Sequence, residues 1–294
     1  MTTIAAPQGR PAPTPARPRP RSSSWTVIAP TYLVSIVIFG VTVIPLLIVF
    51  VDGFRTTGDI NNSPVGVPHP WVWDNYSSIL GTAPFWQFLG NSALIASVAT
   101  VLAVVLGSMA AFALSRYAFR GREFFYNLFI SGLLFPIGVA ALPLYLLLQR
   151  INLLDNQFGV AIPEAAFALP LTMFILRPFM RAIPGELEDA ALVDGASRLR
   201  FFWQILIPLA KPAIVTVGLL AFVTSWNQYL LPLLVFTTGS HFTLPLGVAT
   251  YQTQYSQNTG AIMAFTAVSA IPALGVFVWA ERYLVAGAAG AVKG

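Results

Sequence analysis

The sequence predicts an all-α polytopic membrane protein with six transmembrane helices and both termini in the cytoplasm, and three observations carry that prediction. Hydrophobic residues make up 56% of the 294 and charged residues only 9%, whereas a soluble domain carries about 25% charge. Four long intervals hold no charge except at their ends: Arg21–Asp52, Asp74–Arg116, Glu123–Arg150 and Lys211–Glu281. The basic residues, finally, are unevenly placed along the chain, as membrane topology requires.

Each span follows from a charge-free interval, because a charge at the bilayer centre costs at least ~2.5–3.5 kcal/mol on insertion scales. The first helix is expected over roughly 26–51. The second is expected over roughly 86–115, its early part, GTAPFWQF, being an interfacial approach, since it carries Pro84 and three aromatics. The interval Glu123–Arg150 is read as one continuous third helix, and 158–180 as the fourth, interrupted by Glu164. Between Lys211 and Glu281 there is room for two helices, separated by the polar, turn-rich stretch at 237–260.

Fourteen of the sixteen lysines and arginines then fall on one face: the N-terminal tail, the second-to-third loop, the fourth-to-fifth loop with Arg177 and Arg181, and the C-terminal end. Only Arg55 and Arg150 lie opposite. By the positive-inside rule the rich face is cytoplasmic. Residues 1–24 are basic and Pro-rich and are expected to be a disordered cytoplasmic tail. No small-residue cleavage site follows a short apolar core, so the first helix is expected to persist. Residues 25–294 are the transmembrane domain.

The segment ELEDAALVDGASRLRFFWQILIPLAKP, 186–212, is the largest cytoplasmic loop on this topology. Its front half, from Pro184, reads as a short helix, with Glu186, Glu188 and Asp189 where the helix dipole favours negative charge. Leu187, Ala190 and Ala191 sit at i, i+3 and i+4, so one small face should sink into a cleft on another protein. Gly195 supplies the freedom to turn, Ser197 can cap a second helical piece, and Pro208 and Pro212 mark its end.

This spacing resembles a known one. Asp189-Ala190-Ala191, three residues, Gly195, nine residues and Ile205-x-Ile207-Pro208 is similar to the EAA loop of ATP-binding-cassette importer permeases, specifically the carbohydrate, maltose-type branch. PFWQFLGNSALIAS at 84–97, SWNQYL at 225–230 and the C-terminal AGAVKG extend the likeness over nearly the whole chain after the tail. Two positions depart from the family pattern: Asp189 stands where glutamate is usual and Ile207 where leucine is usual, both keeping charge or bulk.

The resemblance implies a non-enzymatic permease subunit in the cytoplasmic (inner) membrane of a prokaryote that forms half of a translocation pathway for a neutral sugar or oligosaccharide. Its coupling loop, 186–208, would comprise Glu188, Asp189, Ala190, Ala191, Asp194, Gly195, Ala196, Ile205 and Pro208. Implied partners are a second permease chain, a cytoplasmic ATPase dimer and an extracytoplasmic solute-binding protein, besides membrane lipid. The chain carries no Gly-x-x-x-x-Gly-Lys-Ser/Thr phosphate cradle. No cofactor is therefore expected on it, and ATP and Mg belong to the partner ATPase.

Glu164, in IPEAAFALPL, is a candidate pathway residue, because an ionisable group there must face the bundle interior, a partner or water; a place at the aqueous boundary is the other reading. Asn91, Trp226, Asn227, Gln228 and Tyr229 add neutral hydrogen-bonding and aromatic groups, with helix packing the favoured role for Trp226 and Asn227. Tyr251, Gln252, Gln254 and Tyr255 are candidate contacts for the binding protein, although a plain solvated loop would look similar. Neither His69 nor His241 has companions at ligand spacing, so no metal site is expected, and nothing suggests nucleic acid. The alternatives are a permease for another small solute and an ion-coupled secondary transporter, which would usually place carboxylates or broken helices near the midplane, often in paired repeats; only Glu164 comes close.

Overall fold

The computed structural model describes residues 25–252 and 257–291, with the side chains of 25–29, 31 and 282–291 excepted. The chain divides into two compact units, one through Leu47 and one from Ile48 onward. Helix α1 (Trp25–Asp52) begins in the first unit, and its apolar side chains from Tyr32 to Leu47 are mostly exposed. The expected tail, residues 1–24, lies outside the described residues.

The second unit is built from helices throughout; among the described residues the only extended pairing is an isolated bridge between Gln252 and Gln257. After α1 come α2 (Thr57–Asn62), α3 (Asp74–Gly81) and α4 (Ala83–Arg116). Helix α4 takes in most of the stretch expected as an interfacial approach, because Pro84 falls in its first turn, where the missing N–H is no loss. At ~1.5 Å per residue its 34 residues exceed a ~30 Å hydrocarbon core, so the turns near Trp86 can stand at the interface within the helix.

The third expected span is not continuous. Helix α5 (Arg122–Ser131), a 3₁₀ turn at Gly132–Leu134 and helix α6 (Ile137–Arg150) meet at a bend of 103°. Pro136 is the cause: it removes an N–H and drives Phe135 into an extended conformation, φ −91° and ψ 108°. Helix α7 (Gln157–Ala182) follows, capped by Asn156 Oδ1, which accepts from Phe158 N at 2.8 Å. It is the expected fourth span, but Arg177, assigned by sequence to the following loop, lies within it and is buried.

Helices α8 (Glu186–Val193), α9 (Arg198–Phe201), a π-helical turn at Phe202–Leu206 and α10 (Ile207–Leu209) lead to α11 (Lys211–Trp226), again with a sharp bend, 81°. Helices α12 (Leu230–Val235), α13 (Leu244–Gly247) and α14 (Thr259–Ala291) complete the chain. Among the described residues, four helices are long and apolar enough to cross a membrane, or up to six spans result if each bent pair is counted as one.

Small residues let the central helices approach. Ala96, Ala99, Ala103, Gly107 and Ala111 of α4 recur at helical spacing and are buried. A Cβ on Gly107 would come within 2.4 Å of Thr172 Cγ2 on α7, so that contact is open only to glycine. Three apolar clusters result. One, at the 186–208 end, joins Phe112, Leu176 and Met180 to Ala191, Phe201, Phe202 and Leu206. The other two lie toward the opposite end, around Phe85, Phe88, Trp226 and Phe265, and around Ile95, Leu148, Val160 and Leu231.

Candidate functional site

The loop between α7 and α11 is fixed by local rules that its sequence spells out. Glu186, Glu188 and Asp189 occupy the first turn of α8. At its end Ala196 N donates to Ala191 O at 2.9 Å and Gly195 N to Leu192 O at 3.1 Å, the paired bonds of a Schellman stop. Gly195 holds φ at +81°, the left-handed conformation that this motif needs, with nothing within 4 Å of where a Cβ would stand. Ser197 Oγ then accepts from Arg200 N at 3.2 Å and starts α9. Pro208 cannot donate to the preceding turn, and the helix widens into the π turn just before it.

The two alanines part company. Ala191 is buried in the chain's own cluster, whereas Ala190 is exposed, along with Leu187 and Val193, the latter at 87%. The expected common face therefore splits: adjacent residues stand ~100° apart on a helix, and the edge of the intramolecular contact runs between them. Phe201, Phe202 and Leu206 are fully buried beside Phe112 and Met180, while Ile205 and Ala196 are half-buried against the same cluster. Glu188 is half-buried; Asp189, Asp194 and Pro208 are exposed. Two arginines tie the loop to its base: Arg116 Nη2 donates to Ile183 O at 2.8 Å, and Arg198 lies 4.8 Å over the Tyr117 ring. Burial, followed by the nearby Glu188 charge, pushes the Tyr117 phenol up.

A second site is a cavity of about 190 Å³ between the bent third span, α4, α7 and α11. Leu133 and Ile137 line it from either side of the break, Ala99 from the midpoint of α4, and Glu164, Thr172, Thr224, Ser225 and Gln228 supply polar groups. Glu164 is 6% exposed; Ser225 Oγ donates to its Oε2, and its Oε1 has no hydrogen-bond partner. Ser225 and Thr224 escaped the sequence reading, although Ser225 immediately precedes the Trp-Asn singled out there.

Of the other candidate pathway residues, Gln228 joins Glu164 in the cavity lining and the rest do not. Asn91 Nδ2 donates to the carbonyls of Ser240 (2.8 Å) and Phe242 (3.0 Å) and so secures a loop. Trp226 is buried, stacks on Phe222 and donates to Ser269 O at 3.2 Å, a packing role. Asn227 faces a different cavity, shared with Leu244 and Ser269, and Tyr229 is 45% exposed. Tyr251 is half-buried against Phe265, and burial pushes its phenol up. Gln252 is exposed, and Gln254 and Tyr255 lie outside the described residues. His241 Nδ1 lies 3.1 Å from Asp155 Oδ1, and no group of three metal-ligating side chains forms among the described residues.

Residues 103–288 match the family model described as binding-protein-dependent transport system inner membrane component. The chain is 35% identical over 244 residues to a diacetylchitobiose uptake system permease protein of Streptomyces coelicolor, covering 82% of this chain and 81% of that protein. It is 34% identical over 277 residues to a trehalose transport system permease protein of Mycobacterium tuberculosis, covering 93% and 98%. An arabinooligosaccharides transport system permease protein of Halalkalibacterium halodurans is 33% identical, with 86% of this chain and 92% of that one covered. Among solved structures, a bacterial ABC transporter involved in the import of the acidic polysaccharide alginate has a chain that superposes with a TM-score of 0.74 at 24% identity, over 91% of this chain and 99% of that one. That likeness speaks for the fold.

Proposed function

The chain belongs to the family of binding-protein-dependent transport system inner membrane components, and on that premise we propose that it is the permease subunit of an ATP-driven importer for a neutral carbohydrate. The observation that carries this reading is the 186–208 loop. A Schellman stop, a serine cap and a buried aromatic base hold α8 rigidly, while Leu187, Ala190 and Val193 stand exposed along it. An exposed apolar edge on a rigid short helix suits docking in a groove of a separate cytoplasmic ATPase, which would bind ATP and Mg and move the loop. Both termini would then be cytoplasmic.

The partner permease is supported by the bent third span. Leu134, Phe135, Pro136 and Gly138 are exposed, and α6 starts without a side-chain cap. This non-helical backbone borders the same cavity as Ala99, halfway along α4. Irregular backbone at that depth is not tolerated against lipid and is found where protein or a water-filled path covers it. A second permease chain, with the pathway between the two, provides that cover, and a solute-binding protein delivers the cargo from outside.

Carbohydrate cargo is supported by the names of the relatives above and by the cavity, whose polar lining is hydroxyl and amide apart from Glu164. Arg177 does not change this, because its guanidinium is committed to Glu123. An anionic sugar would meet no available cation there and would be penalised on desolvation. Thermal-shift screening of the cognate binding protein against diacetylchitobiose, trehalose, arabinooligosaccharides and alginate oligosaccharides tests the cargo. Stabilisation by the acidic sugars alone would remove the neutral assignment. Ala190→Trp tests the docking: the helices should insert normally while ATPase co-purification is lost, and normal co-purification would remove α8 as the docking element.

A further inference from the structure

The broken third span raises a mechanical problem: what carries a movement of the 186–208 loop into the cavity wall? Helix α5, which leads to that wall, has no buried residue, and only Tyr126, Phe129 and Ile130 rest partly on the neighbouring cluster. Its firm tie is one side chain. The Arg177 guanidinium, 8% exposed, pairs with Glu123 in the first turn of α5 and lies 3.9 Å over the Tyr126 ring one turn on. Its Nε donates to Leu114 O at 3.1 Å, in the last turn of α4. One buried cation thus joins three helices.

We propose that Arg177 is a positioning residue, a strut through Glu123 and Tyr126 that makes α5 move as one body with the 186–208 loop and so places the cavity wall. Its neighbours Leu176 and Met180 belong to the cluster that receives Ala191, Phe201 and Phe202 from the loop. At the far end of α5, Gly132 meets Pro170, where a Cβ would fall 2.7 Å from Pro170 Cγ, and Leu133 faces the cavity. Apolar contacts alone permit sliding, whereas a guanidinium fork fixes direction as well as distance. A paired charge inside a span also has no favourable alternative position. Arg122, 3.2 Å from the same carboxylate, sits on α5 itself and ties it to nothing else.

The proposal rests on the importer reading, and its test separates the two. The chain contains no cysteine, so spin labels can be placed at Leu128→Cys on α5 and Leu199→Cys on α9, both exposed positions and neither on the α8 docking edge. Interlabel distances are measured by pulsed electron resonance in the reconstituted full transporter, without nucleotide and with ATP trapped, and in the purified permease. A narrow distribution that keeps its mean in all states is expected for the otherwise native chain. Glu123→Ala, made at an exposed side chain, should broaden it and raise ATP hydrolysis without binding protein roughly 2- to 30-fold. Arg177→Lys, which keeps the charge but loses the fork, should fall between. An unchanged distribution in Glu123→Ala, or a native distance that shifts between states, overturns the strut. If no ATPase associates with the native chain, the importer reading fails, and the widths in the permease alone still decide the strut.

Discussion

The longest connections at the two ends of the bundle rest on different kinds of contact. At the 186–208 end the long loop rests on apolar side chains: Phe201, Phe202, Leu206 and Met180 are fully buried together. At the other end the connections are long, and polar groups hold them. Arg55, 1% exposed, pairs with Asp52 at 2.9 Å and Asp59 at 2.5 Å and donates to the carbonyls of Asp59 (3.1 Å) and Ser63 (2.7 Å). The hydrogen bond to Asp59, more than any other contact, holds the guanidinium pKa above its ordinary value. Asp155 gathers the N–H groups of Thr237 and Thr238, each at 3.1 Å. The difference teaches that a loop without an apolar face can still be made rigid, provided that one charged group satisfies several backbone carbonyls or amides at once.

The sharpest way to break this comparison is to remove the cation. Arg55→Leu would leave Asp52 buried without its counter-charge and two carbonyls unpaired, a loss expected at ~3–5 kcal/mol or more. Phe202→Ala at the opposite end should cost a comparable or smaller ~3–5 kcal/mol, because only apolar contact and a cavity are involved. Thermal unfolding of the purified chain in detergent measures both. A mild effect of Arg55→Leu beside a severe one of Phe202→Ala would mean that the polar network contributes little to holding its end.

The comparison also separates what was legible in the sequence. The 186–208 loop was readable because its determinants are local: Gly195 for the left-handed stop, Ser197 for the cap, acidic residues in the first turn. Span positions were readable from charge spacing for the same reason. The break at Pro136 was local too, but a charge-free interval masks it, since hydropathy counts proline as harmless while the backbone does not. What could not be read is the pairing of Glu164 with Ser225, 61 residues apart, or of Arg177 with Glu123, 54 apart. Those depend on how α4 approaches α7, which Gly107 and its neighbouring alanines permit without specifying partners. Asn91 shows the reverse error: an amide that suits a sugar is spent on two loop carbonyls.

A smaller effect sharpens the local half of the contrast. Gly195→Val should cost ~1–2 kcal/mol from left-handed strain, since the space around a Cβ is open. Gly195→Asn should be nearly neutral, as asparagine tolerates that conformation. Equal losses for valine and asparagine, measured by thermal unfolding, would point to crowding and not to backbone strain.

The smallest expected effect concerns pH at the polar end. The Thr238 hydroxyl, ahead of the two backbone amides and His241, holds the Asp155 carboxyl well below the usual carboxylate range. A group with a depressed folded pKa contributes stability that is fully present above its unfolded value of ~3.9 and is lost as pH falls through the folded value. Asp155 therefore adds no pH dependence near neutrality and begins to withdraw its support below about pH 4. The carboxylate is partly exposed, so solvent screening limits the contribution to under about 1 kcal/mol. Asp155→Asn keeps an acceptor for the amides of Thr237 and Thr238 but cannot ionise. Its unfolding midpoint should lie slightly below that of the native chain at pH 6–7, with the gap closing toward pH 3. A gap that stays constant across that range would show that Asp155 acts through its hydrogen-bond geometry alone, and that of the two polar anchors only Arg55 depends on charge.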